Sequence, residues 1–311
     1  MKTSNLDNGH RIHKIINGVT TYGRMIKFSH TIFALPFALT AVVLAGQQYP
    51  IKIATLLWIL VAMAGARSAA MGFNRLADAT IDAQNPRTAI REIPSGLLSP
   101  KAVVIFVILS SAVFILACAL LGRLCLILSL PVLLLLFAYS YTKRFTWLAH
   151  LYLGFAIGLA PLGAWIAVTD SYTWPVLTLC LSLMTYIAGF DILYACQDKD
   201  FDRDQGLYSI PAKFGIKRAL MIAKILHLIS WCFFLSVKYV FDLSYIYLIA
   251  AFVIGILLIV EHRLVKPDDL RHINIAFFHI NSVISITLFL GVLCDVILGV
   301  SGVWQNACSL N

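Results

Sequence analysis

The sequence predicts an all-α, polytopic membrane protein with nine transmembrane helices. Three observations carry this. Sixty per cent of its residues are apolar and 13% are charged, against about a quarter charged in an ordinary soluble protein. Nine apolar stretches each approach the roughly 20 residues needed to cross a bilayer core. Lys and Arg crowd alternate connections, as they do in chains with a fixed membrane orientation.

The stretches follow in order. Phe28 to Gly46 opens with F-S-H-T-I-F-A-L-P-F, where His30 is expected to be a helix-end residue bonded to backbone and Pro36 to kink the helix. Ile53 to Phe73 leads into an acidic run, and Ala102 to Leu121 and Leu124 to Tyr141 follow, the latter bent at Pro131. Leu148 to Val168 carries Pro161 and three small residues, Gly154, Gly158 and Gly163, that permit close helix contact. Trp174 to Tyr194 leads into a second acidic run. Ala219 to Val240, Leu243 to Val260 and Ile275 to Leu298 complete the set, with His227 and His279 read as packing residues.

No polar linker divides the spans, so residues 28–300 read as a single domain between a polar tail, 1–27, and a short tail, 301–311. The first tail lacks the apolar core and small-residue cleavage site of a secretory signal. It carries Lys2, Arg11, Lys14, Arg24 and Lys27, and the connections on its side carry Arg75, Arg87, Arg91, Lys101, Lys143, Arg144, Lys199, Arg203, Lys213, Lys217, Arg218, Arg263, Lys266 and Arg271. The opposite connections hold only Lys52, Arg123 and Lys238. The N-terminus and both acidic runs are therefore expected to be cytoplasmic and the C-terminus outside, in a plasma membrane such as the bacterial inner membrane. A net charge of +9 then reflects topology and attraction to anionic membrane lipid, and nothing reads as a nucleic-acid module. The cysteines, Cys118, Cys125, Cys180, Cys196, Cys232, Cys294 and Cys308, form no C-x-x-C pair and read as small core residues.

The chemistry lies in the two acidic runs, N-R-L-A-D-A-T-I-D from Asn74 to Asp82 and D-I-L-Y-A-C-Q-D-K-D-F-D from Asp191 to Asp202. At 100° per residue Arg67, Met71, Asn74, Asp78 and Asp82 fall on one helical stripe, and Asp191, Tyr194, Asp198 and Asp202 on another. Asp200 and Asp204 fall off it and read as loop charges. Carboxylates four residues apart repel unless a cation sits among them. Mg²⁺, which takes one or two carboxylates plus phosphate oxygens and waters, suits such a stripe. Four spans separate the two runs, which suggests a duplicated four-helix unit plus one helix, and half-repeats are where membrane proteins build central sites.

Cations accompany the acids. Arg75, Arg87 and Arg91 are expected on the loop after the first run, and Lys143 and Arg144 begin the loop after the fourth span. Each can donate to phosphate oxygens, so metal and basic side chains together describe a diphosphate pocket. Neutralising the leaving diphosphate would turn an allylic diphosphate into a carbocation, with the apolar helices holding a polyisoprenoid tail.

On these residues the chain resembles the UbiA superfamily of intramembrane aromatic prenyltransferases, above all the 4-hydroxybenzoate polyprenyltransferases of quinone biosynthesis. The resemblance rests on N-R-x-x-D-x-x-x-D at Asn74–Asp82, N-P-R-T-A-I-R-E-I-P-S-G at Asn85–Gly96, Y-S-Y-T-K-R at Tyr139–Arg144 and D-x-x-Y-A-x-x-D-x-x-x-D at Asp191–Asp202. It implies a nine-helix bundle around a central cavity, capped by two cytoplasmic loops and opening sideways to lipid. It further implies that Asn74, Asp78 and Asp82 bind one Mg²⁺, that Asp198 and Asp202 bind a second, and that Arg87, Arg91 and Lys143 clamp the polyprenyl diphosphate. Tyr139 and Tyr194 would line the pocket. Asp191 would orient the aromatic acid acceptor or take its proton, and Arg67 would hold its carboxylate. The cation would be captured by the ring carbon beside the hydroxyl, away from water.

Other readings stay open. The acceptor could be a bicyclic naphthoate or a nucleoside-linked aromatic acid of a menaquinone route. A cation-coupled secondary transporter also places carboxylates at half-repeat positions, and a lipid-binding protein without turnover is a third class.

Overall fold

A computed structural model describes residues 18–308, with side chains through Gly299. Most of the tail read as residues 1–27 and the last three residues lie outside it; residues 18–25 are helical. Among the described residues nine helical segments are long and apolar enough to cross a membrane. They comprise a 3₁₀ turn, Phe28–Phe33, with α1 (Leu35–Ala45), α2 (Ile53–Ala77), α4 (Pro100–Leu121), α5 (Arg123–Thr142), α6 (Ala149–Gly158) with α7 (Ala160–Thr169), α8 (Trp174–Ala195), α11 (Ile216–Val240), α12 (Tyr245–Leu264), and a π-helical turn, Ile275–Ile280, with α13 (Asn281–Cys308). Short helices α3 (Ala79–Gln84), α9 (Lys199–Asp204) and α10 (Ile210–Phe214) stand between spans.

The prolines divide spans more than they bend them. Pro36 and Pro161 occupy the first turns of α1 and α7, where a missing N–H costs nothing, so the first and fifth spans are each built from two helical segments. Pro131 alone of the three sits inside a helix. Gly122, at φ +149°, makes the one-residue connection between α4 and α5.

Helix α8 is the axis of the bundle, with Tyr186, Ile187, Ala188 and Ile192 fully buried, and it packs on α6 and α11. Gly154 makes the α6 contact possible, because a Cβ there would lie 2.2 Å from the Met184 carbonyl oxygen. Gly158 does the same against Cys180, whereas Gly163 faces open space and plays no such part. Apolar side chains on the outer faces of the long helices, among them Ile105, Leu109, Leu130, Leu134 and Ile256, stay exposed, as a lipid-facing surface requires.

Both acidic runs are built alike. Helix α2 ends at Ala77, Asp78 follows at φ −97°, ψ 4°, and α3 then carries Asp82 as its fourth residue. Helix α8 ends at Ala195, a 3₁₀ turn closes on Asp198 at φ −100°, ψ 5°, and α9 carries Asp202 as its fourth residue. Each expected stripe is therefore two helical pieces hinged at its middle aspartate. Hydrogen bonding passes through the first hinge, with Asp78 N–H on the Asn74 carbonyl at 2.9 Å and Asp82 N–H on the Asp78 carbonyl at 2.7 Å, so the fourfold alignment survives.

Candidate active site

The two hinged runs meet at one cavity of roughly 170 Å³, lined by residues of both, among them Asn74, Asp78, Asp82, Asp191, Tyr194, Asp198 and Asp202, and by Tyr139, Lys143 and Arg144 of the α5 end. The connection after α3 adds Asn85, Arg87, Thr88 and Arg91 to its lining. Asn85 accepts the Arg87 N–H at 2.9 Å, an Asx turn that aims its amide across the cavity to Asp198 Oδ1 at 3.2 Å. The Thr88 hydroxyl donates to the Asp82 carbonyl at 3.1 Å.

Asp78, Asp82, Asp198 and Asp202 each face a cation. Arg87 grips Asp198 with Nε at 2.8 Å and Nη2 at 2.5 Å, and its Nη1 donates to the Tyr194 hydroxyl at 3.1 Å. Arg91 Nη1 lies 2.7 Å from both oxygens of Asp82. Lys143 Nζ stands 3.5 Å from Asp202, and Arg144 Nη2 3.5 Å from Asp78 while donating to the Ala77 carbonyl. Asp82, Asp198 and Asp202 are buried at 5%, 8% and 2% exposure, so these pairs act in a weakly screened setting. Burial, then the neighbouring Asp82 charge, raises the Asp78 carboxyl above its ordinary range. Burial alone would lower Lys143, but Asp202 and Asp191 outweigh it and raise it; Asp198 does the same for Arg87.

The donor set fits a hard divalent cation. It consists of carboxylate oxygens plus the Asn74 side chain, whose Nδ2 donates to Asp78 Oδ2 at 2.8 Å and so leaves its oxygen available. Asp202 Oδ2 is buried and makes no hydrogen bond, its contact with Lys143 Nζ being a 3.5 Å ion pair, which leaves the oxygen able to take a closer cation.

Two expected site residues stand elsewhere. Arg75 is in the last turn of α2, buried at 4% exposure, with Nε on the Met25 carbonyl at 3.2 Å. The helix runs four residues past Phe73, which turns Arg75 100° away from Asn74 and off the cavity. Arg67 does not line the cavity either: Nη2 donates to the carbonyls of Lys27 at 2.9 Å and Ile26 at 3.4 Å, while Nε is buried and unbonded. His30 packs its ring among Phe33, Phe277 and Phe278, and His227 bonds His262 and the Tyr186 carbonyl. Asp200 and Asp204 are exposed and pair with Arg203. Two contributors are not among the site residues expected from the sequence: Asn85, which opens a quoted motif, and His150, which belongs to none and whose Nδ1 lies 2.6 Å from Asp191 Oδ2. A lone polar residue in the apolar fifth span was the only signal for the second.

Fold and cavity define a multi-pass integral membrane protein with an oxygen-rich, cation-rimmed site. Within that class the chain belongs to the UbiA prenyltransferase family, whose profile matches residues 34–283. It is 30% identical to a 4-hydroxybenzoate octaprenyltransferase of Serratia proteamaculans over 84% of this chain and 89% of that one. To one of Psychromonas ingrahamii it is 31% identical, over 85% and 92%. A solved UbiA homologue of Aeropyrum pernix superposes with TM-score 0.78 at 31% identity, over 86% of this chain and 98% of that one. A second, from Archaeoglobus fulgidus bound to GPP and Mg²⁺, shares the fold at TM-score 0.64 and 17% identity, over 88% and 99%. The protein is thus a membrane-embedded prenyltransferase.

Proposed function

We propose that the protein transfers a polyprenyl group from an allylic polyprenyl diphosphate to the ring carbon beside the hydroxyl of an aromatic acid such as 4-hydroxybenzoate, in quinone biosynthesis. The observation that carries this is the convergence of two acidic runs and four cations on one cavity. Asn74, Asp78 and Asp82 would hold one Mg²⁺ and Asp198 and Asp202 another. Bound there, Mg²⁺ would supply positive charge to the diphosphate oxygens.

The remaining work falls to the chain. Arg87, Arg91, Lys143 and Arg144 exchange their carboxylate partners for diphosphate oxygens and stabilise the charge the leaving group gathers. Tyr139 and Tyr194 line the pocket near the diphosphate. Asp191 accepts the ring proton, so that the carbon–hydrogen electron pair restores aromaticity. The turns after α3 and the α9–α10 segment exclude water. In the orientation set by Lys and Arg the cavity opens to the cytoplasm, and the prenyl tail lies among lipid-facing helices. Family membership favours transfer over ion transport.

Purified protein given Mg²⁺, a polyprenyl diphosphate and several aromatic acids in competition, naphthoates included, should release diphosphate and form one prenylated acid, identified by mass spectrometry. Omitting Mg²⁺, or substituting Asp78→Ala or Asp198→Ala, should abolish both. Turnover retained in either variant would contradict the assigned roles.

A further inference from the structure

His150 is fully buried, at 0% exposure, on a helix whose other inward residues are apolar or small. A leucine would fill the same volume without the cost of burying an imidazole. Both of its ring nitrogens have partners, and the partners fix its chemistry. Nε2 accepts the backbone N–H of Ile210, the first residue of α10, at 3.4 Å. An amide can only donate, so Nε2 carries the lone pair and the proton of the neutral ring is on Nδ1, aimed at Asp191 Oδ2 2.6 Å away. Asp191 lines the cavity, and among the described residues no hydrogen bond is given to its other oxygen, Oδ1.

From this geometry we infer that His150 is a positioning residue: a tautomer fixed by the Ile210 amide holds one oxygen of Asp191 and presents the other to the acceptor. The inference rests on the proposed transfer. In that step the allylic carbon–oxygen bond breaks with its electron pair leaving on diphosphate, and the ring carbon bonds the prenyl cation. The ring carbon–hydrogen bond then breaks, its electrons return to the ring, and the proton passes to Asp191 Oδ1. His150 keeps its own proton throughout; it sets the direction of the acceptor lone pair. The same ring ties α10, beyond the second acidic run, to the floor of the cavity. Lys143 strengthens that tie, since its carbonyl accepts the Tyr208 N–H at 2.7 Å.

The two contacts can be separated by substitution. Asn places an amide donor where Nδ1 stands and serves Asp191 alone; Gln reaches to Nε2 and serves the Ile210 amide alone. Both are polar and close to histidine in size. With the full chain in detergent, Mg²⁺, a polyprenyl diphosphate and 4-hydroxybenzoate, His150→Asn should keep kcat within about threefold. His150→Gln should lose roughly tenfold to a hundredfold in kcat, the range typical of orienting partners. The KM for diphosphate and the Mg²⁺-dependent thermal shift given by a non-reactive thiolo-diphosphate should stay unchanged in both. Equal kcat in the two variants, the reverse order, or loss of the thermal shift in step with kcat would each overturn the assignment. Wild-type protein is assayed first: absence of prenylated product there overturns the transfer itself and this inference with it.

Discussion

Arg87 and Asp198 lie 111 residues apart and form a two-point clamp, Nε to Oδ1 at 2.8 Å and Nη2 to Oδ2 at 2.5 Å. This pair joins the connection after the first acidic run to the hinge of the second. A planar guanidinium matches a carboxylate, or two oxygens of a diphosphate, in a way an ammonium cannot. Arg87→Lys should therefore fail to restore what Arg87→Ala removes. Each should lower kcat/KM for the polyprenyl diphosphate by about 2–3 kcal/mol, some 30- to 150-fold, the worth of a charge-assisted hydrogen bond. Steady-state kinetics with that substrate varied checks it, and near-wild-type activity of the lysine variant would count against a bidentate role.

Lys27 supplies a pH prediction. Its ammonium lies 5.7 Å over the Tyr194 ring, and burial, then Arg75, Arg91, Arg87 and Arg67, lower its pKa to about 8. A lysine whose folded pKa is depressed destabilises the fold while it is charged. That cost is full below pH 8 and fades as pH rises towards 10.5, where both folded and unfolded chains are neutral at this site. Lys27→Met should raise stability by about 2–3 kcal/mol at pH 7, and the gain should shrink between pH 8 and 10. Melting temperatures across that range test it; a constant gain would show that Lys27 carries no such strain.

The proposal that Arg67 holds the acceptor carboxylate can be tested, although Arg67 stands off the cavity lining. Two backbone carbonyls hold its Nη2, and its Nε is buried without a partner, so a carboxylate brought to that side would satisfy it. Arg67→Ala should raise the KM for the aromatic acid about tenfold or more, as loss of a charged hydrogen bond does, and leave the KM for diphosphate nearly unchanged. Equal effects on both substrates would assign Arg67 to packing residues Ile26 and Lys27 alone.

What could be read in the sequence was periodic or compositional. Span positions followed from hydrophobic length, and the placing of Asp78 with Asp82 and of Asp198 with Asp202 at one cavity followed from fourfold spacing, which survives the first hinge because the hydrogen-bond ladder continues through Asp78. Errors came where a helix end had to be placed. Ending the second span at Phe73 instead of Ala77 put Arg75 in a loop among diphosphate donors, whereas four more helical residues turn it towards Met25. Contacts between distant segments left no local trace. Nothing in N-P-R-T announces that Asn85 reaches Asp198, and nothing near His150 marks Asp191, because both pairings depend on how closely two helices approach.

That approach can be tested at Gly154, one turn along α6 from His150. A glycine inside a helix ordinarily costs about 1 kcal/mol relative to alanine, so a Gly-to-Ala change should stabilise wherever there is room. At Gly163 there is room, since nothing lies within 4 Å of the added carbon, and Gly163→Ala should match or exceed the native melting temperature. At Gly154 the added carbon would meet the Met184 carbonyl oxygen at 2.2 Å and the Ala188 Cβ at 3.1 Å, rigid groups on the most buried helix of the bundle. Helix α6 must then move away from α8, at about 1–3 kcal/mol for overpacking. Because His150 and Asp191 sit on these two helices, the displacement should also lengthen their 2.6 Å contact. Gly154→Ala should thus lower kcat at temperatures where the protein remains folded, and native turnover in that variant, with the melting temperature reduced, would show that the His150–Asp191 contact does not depend on the helix spacing.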